Sequence, residues 1–200
     1  EIASISDSAE FERVISHLSP FAVAELAGDK KKKKRDDDSE KLARLITEVQ
    51  GSGIDVVSKA NAYNTLGCIY LRQGAIKSSV EAHKSGLEVL PKEKRSLNEQ
   101  WQANKLKYGI LIDRMEQGVS ADMPEKLFAL KRERDQLGDT FNAQRVFLDA
   151  ARASAALNNT DQAIRYALDA KDGMGAIGYW SGAEQADELF KSLQKGKKKK

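Results

Sequence analysis

The strongest constraint on the fold is the stretch Asn61 to Pro91, NAYNTLGCIYLRQGAIKSSVEAHKSGLEVLP, which reads as two helices folded back on each other. The first helix is expected over Val56 to Arg72, where Tyr63, Leu66, Gly67 and Tyr70 share one face at three-and-four spacing. Gly67 has no side chain, so a neighbouring helix can approach closely there. Gln73-Gly74 ends this helix, because glycine enters the left-handed conformation at little cost. The second helix is expected over Ala75 to Leu90, with Ile76, Val80, His83, Leu87 and Leu90 inward, and Pro91 closes it. Such a pair cannot bury both apolar faces alone and needs stacked neighbours.

Weaker copies follow. Gly67, Gly109 and Ala151 recur at an interval of 42 residues. The matching hydrophobic slots hold Tyr108 with Ile112, then Phe147 with Ala150. In the third unit Ala163, Ala167 and Ala170 fill the small slots, whereas the middle unit carries Lys105 in an aromatic slot.

The stretch resembles the tetratricopeptide repeat. That family's pattern is an aromatic residue, Leu-Gly, Tyr, then a small residue, an aromatic, a small residue and Pro. Here Tyr63, Leu66, Gly67, Tyr70, Ser79, His83, Gly86 and Pro91 occupy the slots, with Ser for Ala and His for an aromatic. The interval of 42 residues exceeds the family's roughly 34, which implies lengthened helices or loops. The resemblance implies an all-α, α-α superhelix of antiparallel hairpins, about nine helices long. Its concave surface would be lined by the first helix of each hairpin: Asn61, Asn64, Cys68 and Arg72, then Lys107 and Arg114, then Arg145 and Arg152. Asp113 and Asp149 dilute the charge. Of the basic slots that chaperone-binding members use, only Arg145 agrees, so binding of a chaperone C-terminus is not carried over.

In chain order, Ser6 to Glu10 starts a helix with Phe11, Val14, Ile15 and Leu18 as its stripe. Pro20 breaks it, and Phe21 to Leu26 forms a shorter piece. Residues 30–38, KKKKKRDDD, are expected to be a mobile loop, because like charges in blocks repel and stay solvated. A nuclear-import signal is the functional reading of the same cluster. Ser39 is expected to cap a helix over Glu40 to Gln50 with Leu42, Leu45, Ile46 and Val49 inward. A long helix from about Ser96 to Gln117 carries Trp101, Tyr108, Leu111, Ile112 and Met115, with Leu106 and Ile110 on another side, as expected of a helix between two neighbours. Pro124 sits in the first turn of the next helix, which ends at Gly138. Helices over Thr140 to Leu157 and Thr160 to Asp172 follow. Residues 173–178, GMGAIG, read as a flexible link, and Ser181-Gly182-Ala183-Glu184 as a capping box opening the last helix. The organisation is a degenerate helical pair over 1–50 with its charged loop at 29–38, three hairpins over 51–175, a capping helix over 176–195 and a basic tail over 196–200.

Catalytic chemistry is sparse. His17 and His83 are the only histidines, and His83 fills an inward slot. There is no His-x-x-x-His, no paired Cys, no phosphate loop and no carboxylate cluster with metal spacing. No enzyme activity, cofactor or metal is expected. The single cysteine, Cys68, excludes an internal disulfide and fits a reducing compartment, the cytoplasm or nucleus. No apolar run approaches the roughly 18 residues of a membrane span, and no signal peptide is visible. The chain opens with Glu1, not Met, which is expected of a piece of something longer. The oligomeric state has no sequence signal.

Two functions remain open. One is a protein-interaction scaffold holding an acidic peptide or partner helix in the groove formed by Asn61, Asn64, Arg72, Lys107, Arg114, Arg145 and Arg152. The other is a helical-repeat subunit of a ribonucleoprotein that contacts RNA through Lys30 to Arg35, the Lys197 tail and the groove bases. A net charge of +3 does not by itself point to nucleic acid, and few aromatics are expected to be free to stack on bases.

Overall fold

The computed structural model describes residues 32–48 and 54–197. Among them eight helices and no strands occur: α1 (Lys32–Glu48), α2 (Val56–Arg72), α3 (Ile76–Val89), α4 (Leu97–Gln117), α5 (Met123–Gln136), α6 (Thr140–Ala156), α7 (Thr160–Ala176) and α8 (Trp180–Lys197). The all-α expectation holds. The two helices expected before Gly28, His17, and the tail at 198–200 lie outside the described residues. The chain divides into two compact units, meeting within α4 at Ile110 and Leu111.

One turn recurs four times and makes the antiparallel hairpins. After α2, Gly74 is left-handed (φ 75°); its N–H donates to the Leu71 carbonyl (3.0 Å) and the Ala75 N–H to the Tyr70 carbonyl (2.8 Å). This is the Schellman closure of a helix end. The Ala75 carbonyl then accepts from the Ser79 N–H at 3.0 Å, so the residue that closes one helix opens the next. Gly138, Asn158 and Gly178 (φ 76°, 59° and 75°) repeat it, with Asp139, Asn159 and Tyr179 as the shared residues. These three turns stand at intervals of 20 residues, one helix apart.

In the first unit, Leu42, Ala43 and Ile46 of α1 pack against Ala62 and Leu66 of α2 and Ala82 of α3, with Tyr63 and Tyr70 at the margin. A second cluster joins Ala60, Leu90, Ala103 and Leu106. Small residues set the spacing. The His83 imidazole of α3 lies against both Gly67 of α2 and Gly109 of α4, where an added Cβ would meet it at about contact-violating range, 2.5 Å from Cε1 and 2.5 Å from Nε2 respectively. Ser79 Oγ donates to the Gly67 carbonyl at 2.7 Å. Gly86 seats Leu106 and Tyr63 in the same way.

In the second unit, Phe128, Phe147 and Tyr166 form a ring cluster, with Phe128 stacked on Tyr166 at 5.6 Å and Phe147 tilted to Tyr166 at 4.9 Å. Ala163, Ala167 and Ala170 of α7 are fully buried, as their small slots require.

Several expectations need correction. Residues 32–38 are not loop but the first two turns of α1. Lys and Arg are good helix formers, and the run places opposite charges four apart in sequence, one turn along a helix. Ser39 is consequently inside α1 and buried, not its cap, and Leu45 is exposed while Ala43 takes its place inward. Trp101 is 44% exposed, while Leu106 and Leu111 of α4 are buried. The 173–178 run is not a flexible link: α7 continues through Ala176, and Gly173 is packed against the Gln144 side chain of α6. Helix α8 begins at Trp180, so Ser181 lies within it. A capping box does occur, at Ser96, whose N–H donates to Glu99 Oε2 (2.6 Å) while its Oγ accepts from the Glu99 N–H (3.4 Å).

Candidate functional site

Helix α6 carries two of the expected groove bases. It starts at Asp139, whose carboxylate accepts from the Asn142 N–H at 3.3 Å. From there Phe141, Arg145, Asp149 and Arg152 follow at spacings of four, four and three, which keeps them on one side of the helix. The Arg145 guanidinium is exposed and makes no hydrogen bond or ion pair with any described residue. Arg152 is held at both ends of its fork: Nη1 donates to Asp149 Oδ1 at 2.8 Å, and Nη2 donates to Gln185 Oε1 of α8 at 3.1 Å. Phe141 is 45% exposed, and its ring lies 4.8 Å from that of Tyr179, the residue that opens α8. The ridge therefore touches the start of α8 through two aromatic rings and its first turns through an arginine.

Helix α8 is fixed to α7 by a carboxylate shared between two amines. Asp187 Oδ1 accepts from Lys171 at 2.8 Å, and Oδ2 faces Lys191 at 2.5 Å. Lys171 and then Lys191 hold the Asp187 carboxyl below its ordinary value, and Asp187 in turn raises Lys171.

The remaining expected site residues are distributed as follows. Arg114, near the end of α4, belongs to the same unit as α6; it is exposed and unpaired among the described residues. Asn61, Asn64, Arg72 and Lys107 belong to the other unit. Arg72 is exposed and Lys107 half-buried. Asn61 and Asn64 do not line an open surface: they are 5% and 7% exposed. Asn61 Oδ1 accepts from Lys105 Nζ at 3.1 Å, and Asn64 Nδ2 points at Cys68 Sγ at 3.9 Å. The cause is that α2 is covered by helices on more than one side, so a position aligned with a family's groove slot is here a packing position. Of the seven, Arg145 and Arg152 stand together on α6 within one unit, whereas Lys107 and Arg114, though both on α4, fall in different units.

Sequence reasoning missed Phe141, Tyr179 and Gln185. The signal was present for the first two. Phe141 and Tyr179 stand three and one residues after turn residues of the same type, Gly138 and Gly178, so both lie at the same end of their hairpins. Nothing in sequence marked Gln185.

Among the described residues no group of three or more His, Cys, Asp or Glu side chains gathers to hold a metal, and no helix is long and apolar enough to cross a membrane. No family model matches the chain, and no curated protein matches it.

Proposed function

We propose that this chain is a non-enzymatic interaction scaffold of tetratricopeptide-like hairpins, which receives an acidic peptide or the acidic edge of a partner helix against α6. The observation that carries this reading is Arg145, an exposed guanidinium left without an internal partner one turn from Phe141 and two turns from Arg152. An arginine that stabilises nothing within its own unit is available for a carboxylate, to which its planar fork is matched. A single exposed pair contributes little, about 0–1 kcal/mol, so affinity must come from several contacts along the ridge. Several bases together also accelerate encounter. The cytoplasm or nucleus is the compartment that a lone thiol, Cys68, fits best.

Charge reversal tests it. Arg145→Glu should abolish partner capture and leave the melting curve unchanged, whereas Arg152→Glu also breaks the bonds to Asp149 and Gln185 and should lower it. Capture that survives would put the binding surface elsewhere.

Ribonucleoprotein binding is the second reading, and one observation favours it. Trp101 and Trp180 are 44% and 68% exposed, so stacking platforms for bases are more numerous than the sequence led one to expect. Phosphate contacts release counterions, so affinity for RNA would fall steeply with salt and capture would be lost after nuclease treatment.

A further inference from the structure

Resting on the scaffold reading, the geometry points to a specific partner class for the α6 ridge: a peptide in which an apolar, preferably aromatic, residue stands close in sequence to a carboxylate. Phe141 is exposed although it is large and apolar, and its ring is steadied by Tyr179 at 4.8 Å. Two rings in tilted contact form a rigid apolar seat whose ordering cost is already met in the free protein. Arg145 follows one turn along, exposed and unpaired. The two positions are separated by four residues, about 6 Å along the helix axis. An extended chain covers that distance in about two residues. An anchor on the rings therefore places the second residue along beside the Arg145 guanidinium. Arg152 closes the far end, some 16 Å from Phe141, but it is already neutralised by Asp149 at 2.8 Å. Arg145 is thus the base that selects charge, and Phe141 with Tyr179 selects the anchor. Nucleic acid fits this ridge less well, because the Asp149–Arg152 pair cancels and leaves Arg145 as the uncompensated charge of the ridge, too little for a continuous phosphate chain.

The test uses the whole chain and fluorescein-labelled peptides of roughly twelve residues, a length that exceeds the ridge when extended. One carries Phe with Glu two residues on, in a Gly/Ser background; the second replaces Phe by Ser; the third replaces Glu by Lys. Fluorescence anisotropy should show the first binding about tenfold tighter than either control. Phe141→Ala should erase the preference for Phe while keeping that for Glu. Arg145→Gln should do the opposite, and Phe141→Leu should restore part of the anchor preference. The circular dichroism melt should not move in Arg145→Gln and should fall only slightly in Phe141→Ala, which loses the Tyr179 ring contact. Equal binding of the Phe and Ser peptides overturns the anchor and leaves the acidic-groove reading standing. Binding of neither Glu-containing peptide above the Lys control overturns the scaffold reading as well. An oligouridine that binds, and loses affinity in Phe141→Ala, overturns both in favour of RNA.

Discussion

The imidazole of His83 occupies the space that a side chain on Gly67 would need. A Cβ built there falls 2.5 Å from His83 Cε1, well inside van der Waals contact. Gly109 approaches the same ring from α4, so one buried histidine sets the distance of α3 from two helices. Gly67→Ala and Gly109→Ala should each destabilise, since overpacking costs about 1–3 kcal/mol and exceeds the roughly 1 kcal/mol that helix propensity returns. Gly67→Leu should cost more than either. Gly196→Ala is the control, because that helical glycine faces open space and should be neutral or gain about 0.5–1 kcal/mol. Gly118→Ala is not a neutral control, as Gly118 has φ 130°. Urea denaturation midpoints decide it; a stabilised Gly67→Ala protein contradicts the packing.

Ser79 stands where alanine would serve for size, yet its hydroxyl donates to the Gly67 carbonyl at 2.7 Å from a fully buried position. Ser79→Ala keeps the close approach but loses that bond. It should cost about 0.5–1.5 kcal/mol. Ser79→Val should cost more, because it adds bulk as well. If Ser79→Ala proves neutral, the hydroxyl has no part in holding α3 to α2.

The hairpin at Asn61 to Pro91 was legible because every signal in it agrees: periodicity, Gly74 at the turn, Pro91 at the end, and small residues where helices meet. The second unit was legible in its helices but not in its register. Gly67, Gly109 and Ala151 suggested a 42-residue period per hairpin, and the turns at Gly138, Asn158 and Gly178 recur every 20, one per helix, or 40 for two helices. That shorter period was visible as Leu-Gly, Leu-Asn and Ile-Gly, each followed five residues after the turn residue by Ala143, Ala163 or Ala183. It was obscured because Asn replaces Gly in one turn. The charge block misled for a different reason. Repulsion between like charges acts through solvent and is weak, whereas helix propensity and the buried face of Ser39, Leu42, Ala43 and Ile46 extend α1 back through Lys32. For the proposed site, side-chain type alone brought Arg145, Arg152, Asn61 and Asn64 forward, but Asn61 and Asn64 are buried, and burial is set by tertiary neighbours.

Asp55 caps α2, with Oδ1 accepting from the Val57 and Ser58 N–H groups at 3.0 Å each and Oδ2 from Ser58 Oγ at 2.6 Å. Partial burial works to raise its carboxyl, but the Ser58 hydroxyl and the two N–H groups outweigh it and hold the carboxyl below its ordinary value. A depressed folded value means that the stabilisation is complete above the unfolded value, about 3.9, and is lost as pH falls through the folded one. Asp55→Ala should therefore cost about 1 kcal/mol at neutral pH. The difference from the native chain should shrink as pH falls below about 4. A gap that is independent of pH would show that the charge of the cap is irrelevant.

Asn158 is the one turn residue of its kind that is not glycine, held at φ 59° between α6 and α7. Asparagine tolerates this conformation better than other side chains, because its short amide can bond locally, but it still pays a steric cost that glycine does not. Its main-chain roles, the N–H to the Ala155 carbonyl at 3.0 Å and the step to Asn159, need no side chain. Asn158→Gly should therefore leave stability unchanged or raise it slightly. Asn158→Ala should lower it by about 1–2 kcal/mol, the cost of an L side chain in the left-handed region. Gly138→Ala and Gly178→Ala should cost a similar amount, since neither glycine has any atom close enough to clash and conformation alone is at issue. The three alanine variants measured side by side form the check. If their losses cluster, one turn is repeated with one energetic role; if Asn158→Ala is neutral, the α6–α7 turn relaxes out of the left-handed form and the 20-residue repeat is geometric only.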